Sequence, residues 1–202
     1  TAHPKLDPET GEMLFFGYSP FPPYLTYHVA NRAGELVRSE PIDLEWPSMI
    51  HDFAITSEHV VFLLFPLVFS FENLANKGNA FSWEPERGTR IGIMPRSGGN
   101  ADVRWFSAEP CYVFHPMNAY TEGDTVVVDV ARFPRLLFMN PESMRGAGQD
   151  FSNDAPRLHR FTAKRPLGGA QLWLRQRRRR TAIRAAQRHV GRGRRLRLGS
   201  RL

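Results

Sequence analysis

Cys111-Tyr112-Val113-Phe114-His115-Pro116-Met117-Asn118-Ala119-Tyr120, followed after Thr121 by Glu122-Gly123-Asp124 and Thr125-Val126-Val127-Val128-Asp129-Val130, reads as strand, turn and strand. Aromatic and β-branched residues fill both arms, and a glycine between two acids supplies the turn. The valine-rich second arm has the composition of an inner strand buried on both faces. The first arm carries a histidine in an otherwise apolar run.

The same texture extends outward in both directions. Met13 to Tyr18, Tyr24 to Val29, Leu36 to Ile42, His51 to Thr56, His59 to Leu64, Thr89 to Pro95 and Val103 to Phe106 all read as strands. Ser19-Pro20-Phe21-Pro22-Pro23 is a breaker that no helix crosses. Arg90 to Arg96 alternates apolar and other residues, as a half-buried strand does. Asp7-Pro8-Glu9-Thr10-Gly11-Glu12 and Glu84-Pro85-Glu86-Arg87-Gly88-Thr89 share one layout, read as hairpin turns. Short strands with recurring turns predict an all-β propeller, barrel or sandwich, and no strict repeat period selects among them. Residues 60 to 71 are apolar but divided by Pro66, so they read as a buried strand and an apolar lip rather than a membrane span.

Charge is distributed unevenly. Of 27 basic residues, 16 lie from Arg157 onward with no acid among them, which leaves 11 against 20 acidic groups before that point. The pI near 10.2 therefore belongs to the tail and argues nothing about the rest. A single cysteine, Cys111, excludes an internal disulfide and any cysteine-rich zinc module, which fits a cytoplasmic protein.

His3 and His51 stand in settings like that of His115, each beginning or interrupting a β-prone segment. Neutral imidazoles are good ligands for iron, zinc or copper. The separations of 48 and 64 residues match no short-range metal motif, so spacing leaves these histidines open between ligands and ordinary core or surface residues.

Thr1-Ala2-His3-Pro4-Lys5-Leu6-Asp7-Pro8-Glu9-Thr10-Gly11-Glu12, then Tyr24-Leu25-Thr26-Tyr27, then Met49-Ile50-His51-Asp52-Phe53-Ala54-Ile55-Thr56, then Phe114-His115-Pro116-Met117-Asn118-Ala119-Tyr120 resemble, in order, the signatures of the carotenoid cleavage oxygenases, a family that includes the bacterial lignostilbene dioxygenases. The likeness covers roughly residues 1 to 162. It implies about half of a seven-bladed β-propeller, with residues 163 to 202 as a non-homologous arginine-rich tail. It also implies non-haem Fe(II) held by four histidines, of which His3, His51 and His115 resemble three. The fourth, which the family carries in a His-Gly context, has no counterpart here, nor do the family's ligand-orienting glutamates. The Tyr and Lys with which lignostilbene enzymes engage a phenol precede the first iron histidine in the family, so the choice between carotenoid and stilbene stays open.

The implied reaction splits a carbon-carbon double bond of an apocarotenoid, carotenoid or stilbene-like substrate with O₂ into two carbonyl products. Phe53, Phe62, Phe65 and Phe69 are candidates for an apolar substrate tunnel, against the plainer reading as core. A peripheral membrane contact for substrate uptake is expected. The chain is read as a fragment that retains iron poorly and turns over little. The alternative is a non-catalytic propeller remnant whose basic tail makes it an interaction or nucleic-acid-binding protein. Acid-free arginine-rich sequence is also what a shifted reading frame of a GC-rich gene encodes, and that reading is preferred over a native nucleic-acid-binding arm.

Overall fold

A computed structural model of the chain describes residues 3–136 and 156–164, and these build three successive antiparallel sheets and a two-stranded ribbon. In the first, β1 (Lys5–Leu6), β2 (Met13–Tyr18), β3 (Leu25–Ala30) and β4 (Leu36–Ile42) lie side by side in chain order. The second begins with β5 (Ala54–Ile55) and β6 (His59–Leu64). A two-stranded ribbon of β7 (Leu67–Phe69) and β8 (Phe81–Trp83) follows, with the helix α1 (Phe71–Lys77) between its strands. The chain then returns through β9 (Thr89–Pro95) and β10 (Arg104–Ala108), so that β5, β6, β9 and β10 form the second sheet in that order. The third holds β11 (Pro116–Glu122), β12 (Thr125–Arg132) and β13 (Arg157–Lys164). Each sheet starts at its innermost strand and steps outward, and β11 lies against β5. These are blades of a β-propeller.

Two cores cement the blades face to face. Leu14, Phe16, Leu25 and Tyr27 of the first blade meet Val60, Phe62, Leu64 and Met94 of the second. Val61, Leu63, Ile91 and Ile93 turn the other way, onto Val126, Val128, Val130 and Phe161 of the third. The period-two geometry of a strand thus lets β6, buried at all six positions, serve both interfaces at once. β9 does the same, so the half-buried strand expected at Arg90 to Arg96 is corrected: Ile91 and Ile93 enter one core, Met94 the other. At its centre Gly92 lies opposite Trp105 of β10, and a Cβ there would come within 2.7 Å of the indole.

Other expectations are also revised. The ladder strands expected over His51 to Thr56 and Cys111 to Ala119 begin later, at Ala54 and Pro116. A helix occurs where the chain reads as β throughout. Ser70 caps α1 by accepting from the Asn73 amide, and Gly78 closes it at φ 65°, so the serine and glycine bracketing residues 71–77 are the signal that was missed. The two turns of common layout both place glycine at positive φ, Gly11 at 73° and Gly88 at 67°. Only the first closes a hairpin, between β1 and β2, whereas the second carries the chain from the ribbon back into the blade. β13 runs through Lys164, and the tail from residue 165, with its basic-arm and frameshift readings, lies outside the described residues.

The first hairpin turn is tied to the second blade by charge. Asp7 accepts from the Glu9 and Thr10 amides and pairs with Arg96, at 2.5 Å, just beyond β9. The Arg96 guanidinium and those amides hold the Asp7 carboxyl below its ordinary value of 3.8. A depressed carboxyl contributes stability above its unfolded value and loses it as pH falls through the lower folded value. Asp7→Asn is therefore expected to unfold at lower urea concentration than wild type at pH 7, with the gap closing below pH 3.8. Urea midpoints of the two proteins across that range check this, and a gap that ignores pH would rule out the ion pair as its source.

Candidate metal centre

His3 lies just before β1, His51 just before β5 and His115 immediately before β11. Three residues separated by 48 and 64 positions thus occupy the same place in three blades, the entry to the innermost strand. Neighbours hold each entry in place. Around His51, Ile50, Asp52 and Phe53 are buried, and the Met49 amide donates to the Leu67 carbonyl at 3.0 Å. Before His115, Cys111, Tyr112 and Val113 are buried, and Tyr112 exchanges two backbone bonds with Phe133. Two residues after His3, Lys5 enters the ladder opposite Leu14.

Stacking the blades brings these entries together. One ring nitrogen from each of His3, His51 and His115 lies within 4.8 Å of the others, and Nε2 of His3 stands 3.1 Å from Nε2 of His51. Donors that share one ion at about 2 Å lie about 3 Å apart when at right angles, a spacing that the His3–His51 pair has and that the wider third nitrogen reaches by a small inward shift of its ring. Burial and the two nearby imidazoles hold His51 below the ordinary histidine pKa, with Asp52 opposing them. Its neutral, ligating form is favoured accordingly.

The cluster has polar support from Asp52, which adjoins His51 in the sequence and can from there hydrogen-bond near a metal. Asp52, 5% exposed, accepts from Lys5 Nζ at 2.7 Å, and its second oxygen lies 3.2 Å from His115 Nδ1. Phe114 packs edge-on against His51 at 5.8 Å between ring centroids. No local pattern announces the Lys5 contact, because 47 residues separate the partners.

Other candidates are not brought to this point. Phe53 and Phe62 belong to the core between the first two blades, and Phe65 to the core between the second and third. Phe69 is half-buried on β7 among Phe71 and Phe81. The four do not share one surface, and three of them are interior packing. Cys111 sits in the second core against Thr89, and burial pushes its thiol up. His28 stacks on Phe15 and bonds Ser39, as a structural histidine does.

A propeller with imidazoles converging at the inner strands defines the class, and comparison with known proteins agrees. The family model described as Retinal pigment epithelial membrane protein matches residues 1–182, and the chain belongs to this family, that of the carotenoid cleavage oxygenases. An isoeugenol monooxygenase of Pseudomonas putida is 38% identical over 80% of this chain and 34% of that protein. A carotenoid 9,10(9',10')-cleavage dioxygenase 1 of Phaseolus vulgaris is 43% identical over 67% of this chain and 26% of its own length. The crystal structure of lignostilbene dioxygenase from Pseudomonas brassicacearum superposes with a TM-score of 0.75 at 31% identity, over 87% of this chain and 37% of that one. An apocarotenoid oxygenase mutant from Synechocystis shares the fold, with a TM-score of 0.68 at 23% identity over 86% of this chain and 38% of that one. The chain spans between 26% and 38% of the length of these relatives.

Proposed function

We propose that His3, His51 and His115 are three ligands of a non-haem Fe(II) centre in an oxygenase that cleaves a carbon-carbon double bond with O₂. The observation that carries this reading is the convergence of three imidazole nitrogens within 4.8 Å from equivalent positions of three blades. The donor set fits the group: three neutral nitrogen ligands with no carboxylate among them. Bound Fe(II) would supply the redox chemistry toward O₂ that no side chain here possesses. The chain's own residues position and shield. The buried flanks of His51 fix its backbone, Asp52 orients the His115 ring, and Phe114 covers one edge of His51 with apolar surface.

The substrate is an apolar alkene of the carotenoid, apocarotenoid or stilbene type, and two carbonyl compounds are the products. For these 202 residues we propose weak metal retention, with bound iron readily lost to a chelator, and little turnover. Anaerobic titration of the metal-free chain with Fe(II) is expected to give one ion per chain. Oxygen consumption and carbonyl analysis with an apocarotenal and a hydroxystilbene report the reaction. Failure to take up Fe(II) at all would overturn the reading at its first step.

A further inference from the structure

We infer that Asp52, anchored by Lys5, is a positioning residue that sets the His115 tautomer and so presents the correct nitrogen to the metal; this rests on the three-histidine reading above. The contacts span three blades. Lys5 belongs to β1 of the first, Asp52 immediately precedes Phe53 and β5 of the second, and His115 enters β11 of the third.

The hydrogen-bond inventory of Asp52 forces the assignment. Oδ1 accepts from Lys5 Nζ at 2.7 Å and from the Phe53 amide at 2.8 Å. Oδ2 is left for His115 Nδ1 at 3.2 Å. A carboxylate only accepts, so Nδ1 of His115 is the donor and carries the ring proton. In the neutral ring Nε2 then keeps its lone pair, and the ring lies 4.6 Å from His3 and 4.9 Å from His51 between centroids. Lys5 also lies over the Phe53 ring, 5.6 Å from its centroid, so its ammonium is held from two sides. With Asp52 almost wholly buried, the carboxylate has little freedom to turn away from its three donors.

Replacing Asp52 by Asn has a predictable orientation. Two donors meet at the Oδ1 position, so the amide oxygen must occupy it and the amide nitrogen must face His115. Nδ1 then becomes an acceptor, and the ring proton moves to Nε2, where it blocks the metal-facing lone pair. A change in fold is not required for this. Glu at the same position restores an acceptor, though on a longer stem.

The tautomer is read directly in the metal-free chain, labelled with ¹⁵N-histidine, from long-range proton–nitrogen correlations of His115. Wild type is expected to show the Nδ1–H form and Asp52→Asn the Nε2–H form. Zn(II) affinity, measured by competition with a chromophoric chelator, is expected to fall about 10- to 100-fold in Asp52→Asn and to recover in part in Asp52→Glu. A folded Asp52→Asn chain with wild-type tautomer and affinity overturns the inference. If that variant does not fold, Lys5→Met decides, with a several-fold loss of Zn(II) affinity expected and no loss overturning it. A wild-type chain that shows the Nδ1–H form but binds no metal would defeat the Fe(II) reading and leave the Asp52 assignment intact.

Discussion

His51→Ala is expected to weaken metal binding by at least about 100-fold, beyond the range seen when only a residue behind a ligand is changed. His51 sits between the other two imidazoles in the chain and close to both in space, with ring centroids 4.8 Å from His3 and 4.9 Å from His115. Its removal leaves two donors from blades one and three, with nothing from the blade between them. The substitution deletes a half-buried ring at the cluster and no part of either core, so the fold is expected to persist. Calorimetric titration with Zn(II), alongside a melting curve, separates the two effects. His28→Ala is the control, since His28 lies on β3 and bonds Ser39. Equal losses in the two variants would mean that metal is held elsewhere.

Phe62→Ala is the substitution with the largest expected effect on stability. The side chain is fully buried on β6, meets Tyr27 of the first blade with ring centroids 6.1 Å apart, and has the second blade's own strands around it. Truncating a buried Phe typically costs about 3–5 kcal/mol, a large share of the total for an ordinary domain. The urea midpoint should fall accordingly, while Phe69→Ala, half-buried on the ribbon, should lose clearly less. Phe62→Leu refills most of the space and is expected to recover most of the loss while leaving Zn(II) affinity unchanged. Similar losses at Phe62 and Phe69 would contradict the placement of Phe62 between blades.

These two substitutions probe different kinds of information in the chain. The strands Met13–Tyr18, Leu36–Ile42, His59–Leu64 and Thr89–Pro95 are legible to the residue, because β-propensity and turn chemistry act over a few neighbours. Strand burial is less so. Arg90 to Arg96 alternates as though one face met water, yet both faces are covered, since a neighbouring blade and Trp105 lie where alternation alone would place solvent. Strand ends near the axis also escape local reading. His51 to Phe53 and Cys111 to His115 are composed like strands, but the ladder starts only at Ala54 and Pro116. The helix at Phe71–Lys77 is obscured locally because its N-cap, Ser70, and first residue, Phe71, end the apolar run that reads as strand and lip.

His3, His51 and His115 follow from recognisable local signatures, and their residue type restricts the chemistry to that of neutral nitrogen ligands. Their convergence does not follow from spacing, because 48 and 64 residues are compatible with any separation in a folded chain. It is decided by repetition: each blade begins on its inner strand, so a residue at that entry is carried to the same point every time the chain completes a sheet. The Lys5–Asp52–His115 contacts belong wholly to this second level. Hydrogen bonds between residues far apart in sequence exist only once packing has fixed the blades in register. The chain's local pattern therefore specifies strands and ligand types, and the stacking of blades alone decides which side chains meet and how His115 is turned.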